Sequence, residues 1–148
     1  MKRLENKIAI ITGGASGIGK QAAFLFAQEG ATISIWDVNE ELGAAVVKEF
    51  EQQNYHAEFR KVNVADKNDV SSNAKAVSDK YGKIDVLVNN AGITRDATLM
   101  KMTEEQWDQV IAVNLKGVFN CTQAVAGVMV EQKQGAIINT SSVVAHYG

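Results

Sequence analysis

The sequence contains no proline, one cysteine and two histidines among its 148 residues. Because proline ordinarily makes up about 5% of a chain, its absence favours uninterrupted helices and buried strands over long loops. The single cysteine, Cys121, excludes an internal disulfide and fits a reducing compartment. No metal site is predicted.

Long apolar runs and dense basic runs are also missing. The N-terminal apolar segment, Ile8 to Ile11, is too short for a signal peptide, and the longest one elsewhere, Ala124 to Val130, is far below membrane-spanning length. We therefore expect a cytoplasmic protein without a membrane partner. A net charge of -2 without clustered lysine or arginine argues against nucleic acid and favours a small-molecule ligand.

What the sequence does contain is a regular alternation of short apolar runs and amphipathic segments. Strands are predicted at Lys7–Thr12, Thr32–Trp36, Ala57–Val64, Ile84–Gly92 and Gly135–Ser141. Helices are predicted at about Gly17–Glu29, after the cap Asn39 through Phe50, from Asp66 to Tyr81, and from the capping box Thr103/Gln106 to about Val130. This order predicts one α/β domain over residues 1–148, a doubly wound parallel sheet of the Rossmann type, with the third strand near an edge.

A glycine-rich turn, TGGASGIG from Thr12 to Gly19, joins the first strand to the first helix. Gly13 permits a tight turn, Gly17 lets the backbone approach a pyrophosphate, and Gly19 lets the helix pack on the strand. Ser16 and Ile18 are also predicted to bind the cofactor, and Ser16 offers no positive charge of the kind that would favour a 2'-phosphate. Ile18 also falls on the predicted buried helix face with Ala22, Leu25 and Phe26. The alternative is a glycine-rich turn without a ligand, since such motifs also match by accident.

Asp37 follows the second strand, about 20 residues beyond the glycine turn. A carboxylate at this position can accept both ribose hydroxyls of an adenosine and would repel a 2'-phosphate. NAD(H) is therefore favoured, while Lys20 keeps NADP(H) open. Taken alone, Asp37 also fits a loop aspartate that begins the next turn.

Five motifs in order, TGGASGIG, VNVAD, NNAGITRDATLMKM, NLKGVFNCTQAV and GAIINTSSVV, resemble the short-chain dehydrogenase/reductase family over essentially the whole chain. NNAGITRD followed by MKM is most similar to its branch of 3-oxoacyl-acyl-carrier-protein and acetoacetyl-CoA reductases. The resemblance implies an oxidoreductase of fatty-acid metabolism that transfers hydride between NAD(P)H and a 3-oxoacyl thioester, commonly as a homotetramer. Another ketone or a secondary alcohol stays open as the substrate.

The resemblance also implies further cofactor residues. Asn63, where many members carry aspartate, and Val64 would flank the adenine, and Asn90, Ala91 and Gly92 would lie beneath the nicotinamide ribose. Asn114 falls within the apolar stripe of the fourth helix, so a buried amide in need of partners is predicted. Either it makes an internal hydrogen bond to a neighbouring strand or, by the resemblance, it opens the helix locally and holds a water in a proton relay; both are compatible.

Ser141 and Ser142 follow the fifth strand, at the edge where open α/β sheets bind ligands. By the resemblance, Ser142 is the catalytic serine that hydrogen-bonds the substrate carbonyl, and Ser141 points away. Alternatively, both hydroxyls satisfy backbone groups at the strand end.

A Tyr-x-x-x-Lys pair on the following helix is implied as well, but Tyr147 has no lysine four residues beyond it. Tyr147 is therefore given no catalytic role, and His146 is interpreted as a loop residue. We expect the sequence to be part of a longer reductase, without which the fifth strand would be an exposed, aggregation-prone edge. The alternative function is a non-catalytic dinucleotide-binding module; a phosphoacceptor domain is more distant, because glycines stand where paired acidic residues are required.

Overall fold

The computed structural model describes residues 2–142, which form one parallel sheet with helices on both faces. The strands are β1 (Ile8–Thr12), β2 (Thr32–Asp37), β3 (Ala57–Lys61), β4 (Val86–Asn89) and β5 (Ala136–Asn139). The α-helices are α1 (Gly17–Gln28), α2 (Glu40–Gln52), α3 (Lys67–Tyr81), α4 (Glu104–Ile111) and α5 (Gly117–Gln132), with a short 3-10 turn at Leu99–Lys101. The order across the sheet is β3-β2-β1-β4-β5, and all pairs are parallel. The predicted doubly wound fold is confirmed.

The central strand, β1, is buried on both sides. Ile8 and Ile10 belong to the apolar cluster beneath α3 and α5, whereas Ala9 and Ile11 belong to the cluster beneath α1 and α2. Because successive strand side chains point to opposite faces, one short apolar run supplies both layers of the core.

Three of the predicted helix starts are confirmed by their caps. Asn39 Oδ1 accepts a hydrogen bond from the Leu42 N–H at 3.0 Å, and Asp66 caps α3 in the same way. At α4, the Gln106 N–H donates to Thr103 Oγ1 (3.2 Å) and the Thr103 N–H donates to Gln106 Oε1 (2.9 Å), a complete capping box.

The predicted buried face of α1 is wrong at two positions, because Ile18 is 75% exposed and Leu25 is 60% exposed. The buried residues of the helix are instead Gly19, Ala23 and Ala27. These residues are spaced by four and carry minimal side chains, so the helix axis lies close to the sheet. The face of α1 that packs against the sheet is therefore the one with the smallest side chains and not the one with the most apolar surface.

The third and fourth strands are shorter than predicted. Lys61 at the end of β3 pairs with Asp37, the last residue of β2, so the chain after Lys61 has no strand left to pair with. Residues 62–64 instead run over the carboxyl edge of the sheet. In the same way β4 ends at Asn89, and residues 90–92 leave the sheet. As predicted, β3 is an edge strand.

The predicted long fourth helix is divided by a π-helical turn at Ala112–Lys116, between α4 and α5. A π turn adds a residue to the helix and rotates everything that follows it. Asn114, within this turn, is exposed, and Trp107 and Ile111, which precede the turn, are exposed as well. The prediction of a buried amide within an apolar stripe is therefore wrong. The buried amide in this region is Asn120, whose Nδ2 donates to the Val64 carbonyl oxygen at 2.9 Å.

Among the described residues, β5 lies at one edge of the sheet. All four of its residues are exposed, including Ile137 and Ile138. Aggregation through this edge stays a prediction. Within residues 2–142, no helix combines the length and apolar character needed to cross a bilayer.

Candidate functional site

A cleft of about 550 Å³ lies at the carboxyl ends of β1, β2 and β4. Strand order reverses at β1, so the helices that follow β1 and β4 leave on opposite faces and open a crevice there. The cleft is lined by Gly13, Ser16, Gly17, Ile18, Trp36, Asp37, Val38, Val62, Asn63, Val64, Asn90, Ala91, Gly92, Ile93 and Val113. Every residue predicted to bind the cofactor is in this set except Gly19, which lies behind the turn.

Glycine is required at different positions of the turn for different structural reasons. Gly13 and Gly17 both have positive φ angles, +63° and +53°, which residues other than glycine rarely adopt. A Cβ on Gly17 would meet no atom within 4 Å, so the backbone there is open to a ligand. A Cβ on Gly19 would lie 2.3 Å from the Gly13 carbonyl oxygen, so Gly19 is required for packing.

The amino end of α1 differs from those of α2, α3 and α4. Ser16 is its N-cap residue but makes no side-chain capping hydrogen bond, and the first turn contains no acidic residue. Gly17 and Ile18 of this turn line the cleft. The partial positive charge of the helix terminus and its unpaired N–H groups are therefore available to an anion in the cleft.

Asp37 is held in a fixed orientation at the end of β2. Its Oδ2 accepts from the Ala15 N–H of the glycine turn (3.2 Å), and its Oδ1 accepts from the Asn39 N–H (3.1 Å). Each carboxylate oxygen keeps a second lone pair, and the side chain lines the cleft. Lys20, in contrast, forms an ion pair with Glu49 at 2.7 Å and does not line the cleft.

Thr12 joins the ends of β1 and β4. Its Oγ1 accepts from the N–H groups of Asn90 and Ala91, both at 3.0 Å, and donates to the Val88 carbonyl at 3.3 Å. Asn90 Nδ2 in turn donates to the carbonyl oxygens of Thr12 (3.0 Å) and Gly13 (3.2 Å). Sequence reasoning missed Thr12 as a site residue; the available signal was a hydroxyl at the last buried strand position before the glycines.

Asn63 and Asn114 hold the two loops that border the cleft. Asn63 Oδ1 accepts from the Ala65 N–H at 3.0 Å. Asn114, in the π turn, accepts from the Ile93 N–H (2.9 Å) and donates to the Ile93 carbonyl (3.0 Å). The partner of Asn114 is therefore the loop after β4 rather than the neighbouring strand that was predicted, and the helix is locally widened at that residue.

Ser142 lies beyond the carboxyl end of β5, is exposed, and does not line the cleft. The end of β5 is held beside β4 because Asn89 Nδ2 donates to Asn139 Oδ1 (2.9 Å) and the Thr140 N–H donates to the Asn89 carbonyl (3.0 Å). His146 and Tyr147 lie outside the described residues. Within residues 2–142, no group of three histidine, cysteine or acidic side chains is placed to hold a metal ion.

Some lining residues were not predicted at all: Trp36, Val38, Val62, Ile93 and Val113. Apolar side chains at strand ends and on a helix do not differ in type from core residues. Only their position at the crevice distinguishes them.

A glycine-lined cleft at the topological switch point of a doubly wound parallel sheet defines the Rossmann class of α/β proteins. The sequence profile of the short chain dehydrogenase family matches residues 7–148. The chain belongs to the short chain dehydrogenase family.

Several known proteins align with nearly the whole length of this chain. It is 53% identical over 146 residues to the 3-oxoacyl-[acyl-carrier-protein] reductase FabG of Thermotoga maritima, covering 99% of this chain and 59% of that protein. It is 45% identical to the (2S)-[(R)-hydroxy(phenyl)methyl]succinyl-CoA dehydrogenase subunit BbsD of Thauera aromatica, over 94% of this chain and 56% of that protein. A crystal structure of gox2181 superposes with a TM-score of 0.95 at 32% identity, over 97% of this chain and 56% of that one. The chain thus spans little more than half the length of these proteins.

Proposed function

We propose that the complete protein is an oxidoreductase that transfers hydride between a nicotinamide dinucleotide and the carbonyl of a 3-oxoacyl thioester. The observation that carries the proposal is the cleft, where an uncapped helix terminus, two glycines with positive φ and an anchored carboxylate meet. The substrate class is supported by relatives, one named as a 3-oxoacyl-[acyl-carrier-protein] reductase and another as a dehydrogenase of a CoA thioester.

The residues of the cleft fit a dinucleotide. Gly13, Gly17 and the start of α1, with Ser16 and Ile18, would hold the pyrophosphate, because a side chain at Gly17 would occupy the open space in front of the helix. Asp37 would accept the ribose hydroxyls of the adenosine. The remaining lining residues in the proposal are Asn63 and Val64 at the adenine and Asn90, Ala91 and Gly92 at the nicotinamide ribose. When bound, the nicotinamide supplies or accepts the hydride.

We favour NAD(H) over NADP(H). The Asp37 carboxylate would repel a 2'-phosphate, and Lys20, the cation that could offset it, is paired with Glu49. NADH is therefore expected to bind more tightly than NADPH. Asp37→Ser should reduce the ratio of the Kd for NADPH to the Kd for NADH by about tenfold or more, because an unpaired charge beside the 2'-phosphate would cost at least about 1.4 kcal/mol. Titration of both dinucleotides against the wild type and Asp37→Ser tests this, and an unchanged ratio contradicts the assignment.

Ser142 and Asn114 are proposed for the chemical step. The Ser142 hydroxyl would donate a hydrogen bond to the substrate carbonyl oxygen, where negative charge develops as hydride arrives. Asn114 would support the proton path, because the π turn at 112–116 disturbs the helical hydrogen bonding and one Nδ2 hydrogen remains after the bond to Ile93.

The test is NADH oxidation by the complete protein with acetoacetyl-CoA as substrate. Ser142→Ala should lower kcat by about 100-fold, the usual effect of removing one oxyanion donor, without changing the Kd for NADH. Ser141→Ala is the matched control and should retain activity. Equal turnover by wild type and Ser142→Ala would contradict the role of Ser142, and NADH binding without any turnover would favour the non-catalytic binding module.

We also propose a homo-oligomer that uses exposed apolar side chains of α4, the π turn and α5. Trp107, Ile111, Leu115 and Phe119 are spaced by four and expose 56%, 36%, 64% and 55% of their surface. Exposed apolar patches of this kind mark interaction surfaces. Light scattering of the complete protein should show a smaller assembly for Phe119→Glu than for the wild type; a wild-type monomer contradicts the proposal.

A further inference from the structure

A hydrogen-bonded chain crosses from β2 to the edge strand β3. Trp36 Nε1 donates to Ser34 Oγ at 3.1 Å, and Ser34 Oγ donates to Glu58 Oε1 at 3.1 Å. Ser34 and Glu58 are register partners in adjacent strands, so their side chains lie on the same face of the sheet. Trp36 and Ser34 are both 0% exposed, so no water is available to replace these partners.

The donor and acceptor of each hydrogen bond in this series follow from the groups involved. The indole N–H can only donate, so it uses the acceptor capacity of the Ser34 hydroxyl and orients the Ser34 proton toward Glu58. Glu58 must then accept, and it also accepts from Arg60 Nε (2.6 Å) and Lys80 Nζ (2.7 Å). Burial by itself would raise the pKa of Glu58, but the hydrogen bonds from Arg60 and Lys80 outweigh it, so its pKa lies below the usual value.

This series of hydrogen bonds ends at Trp36, at the wall of the cleft. Trp36 lines the cleft immediately before Asp37 and belongs to the same buried cluster as Val62 and Val64, which line the cleft as well. An indole that is fixed by its N–H therefore fixes one large member of the buried cluster to which these two valines belong.

We propose that Glu58 is a positioning residue for the adenosine end of the cleft, acting through Ser34 on Trp36. The inference rests on the proposed function, because it assigns that end of the cleft to the adenosine half of the dinucleotide. Without the carboxylate, the Ser34 hydroxyl loses its acceptor and the indole loses its fixed orientation. The adenosine half then binds to a less ordered wall.

The experiment measures binding of ADP-ribose and NADH to the complete protein by calorimetry. Glu58→Met, which keeps the length of the side chain but offers the Ser34 hydroxyl no oxygen acceptor, and Ser34→Ala should each weaken ADP-ribose binding by about threefold to tenfold, the equivalent of one hydrogen bond. Because Glu58 acts through Ser34, the double variant should bind no more weakly than Ser34→Ala alone. Lys80→Gln is the matched control: Lys80 contacts the other carboxylate oxygen, so its loss should leave the affinity unchanged.

A spectroscopic readout separates positioning from a loss of stability. The chain has two tryptophans, so a Trp107→Phe background reports Trp36 alone. In that background Glu58→Met should shift or broaden the Trp36 emission at temperatures where circular dichroism shows a folded protein. If Glu58→Met does not fold, Ser34→Ala carries the same test.

The outcomes are distinguishable. A wild-type protein that binds neither ADP-ribose nor NADH overturns the proposed function. A wild type that binds both, with folded Glu58→Met and Ser34→Ala variants of unchanged affinity, overturns this inference alone. Additive losses in the double variant would also overturn it.

Discussion

Gly19→Ala tests the packing of the glycine turn most directly. The new Cβ would lie 2.3 Å from the Gly13 carbonyl oxygen and 2.5 Å from Asn90 Nδ2. An ordinary nonbonded contact is about 3.5 Å, so the first turn of α1 and the glycine turn would have to separate by about 1 Å. Asn90 would be displaced at the same time.

The expected cost has two parts. Overpacking at a tight contact costs about 1–3 kcal/mol. The displaced Asn90 amide loses its hydrogen bonds to the carbonyl oxygens of Thr12 and Gly13, each worth about 0.5–1.5 kcal/mol. A small helix-propensity gain offsets part of this, so the free energy of unfolding should fall by about 2–4 kcal/mol.

Urea unfolding followed by circular dichroism measures the stability, and NADH titration measures the site. Gly127→Ala is the matched control: Gly127 lies in α5, and its new Cβ would meet no atom within 4 Å. It should stabilise the protein by about 0.5–1 kcal/mol and leave NADH binding intact. A Gly19→Ala variant within about 0.5 kcal/mol of the wild type, with equal NADH affinity, would refute the reasoning.

Three further outcomes are expected. Burial raises the pKa of the Cys121 thiol to about 12, so a thiol-specific reagent should react with Cys121 at neutral pH only after unfolding; rapid reaction of the folded protein contradicts this. Asp66→Ala removes the cap of α3 and should cost about 1 kcal/mol in urea unfolding, whereas Asp66→Asn, which can still cap, should cost little. Burial alone would raise the pKa of Asp85, but hydrogen bonds from the Ile8 N–H, Lys83 and Lys7 outweigh it and lower the pKa. The ionised carboxylate therefore stabilises the fold at pH values above the ordinary aspartate pKa of about 3.9. That stabilisation is lost as the pH falls through the lowered pKa. Asp85→Asn should therefore cost about 1.5–3 kcal/mol at pH 7, and its difference from the wild type should begin to shrink only below about pH 4, as the pH falls toward the lowered pKa of Asp85; a difference independent of pH contradicts the role of the charge.

The features that sequence reasoning predicted correctly are those decided within a few residues. Asn39, Asp66 and Thr103 cap helices because their side chains reach N–H groups two or three positions away. The glycine turn is equally local, since the positive φ at Gly13 and Gly17 depends on the absence of a side chain. Both kinds of signal can be read without knowing the fold.

The features that were predicted wrongly depend on distant partners. The π turn holds Asn114, whose two hydrogen bonds go to Ile93, 21 residues earlier, and no periodicity in the helix reports such a contact. The buried stripe of α1 is Gly19, Ala23 and Ala27 because close approach to the sheet outweighed the larger apolar area of Ile18 and Leu25. The length of β3 was likewise decided by its neighbour, since Lys61 has the last available partner in β2.

The sequence by itself determined the alternation of strands and helices, the parallel sheet and the place of the glycine turn, because hydrophobic period and backbone freedom are properties of short segments. Tertiary structure alone decided which residues share the cleft. Thr12 joins Asn90 and Ala91 across nearly 80 positions, and Glu58 reaches Trp36 through Ser34, because parallel strands bring their carboxyl ends to one edge and their matching faces into register.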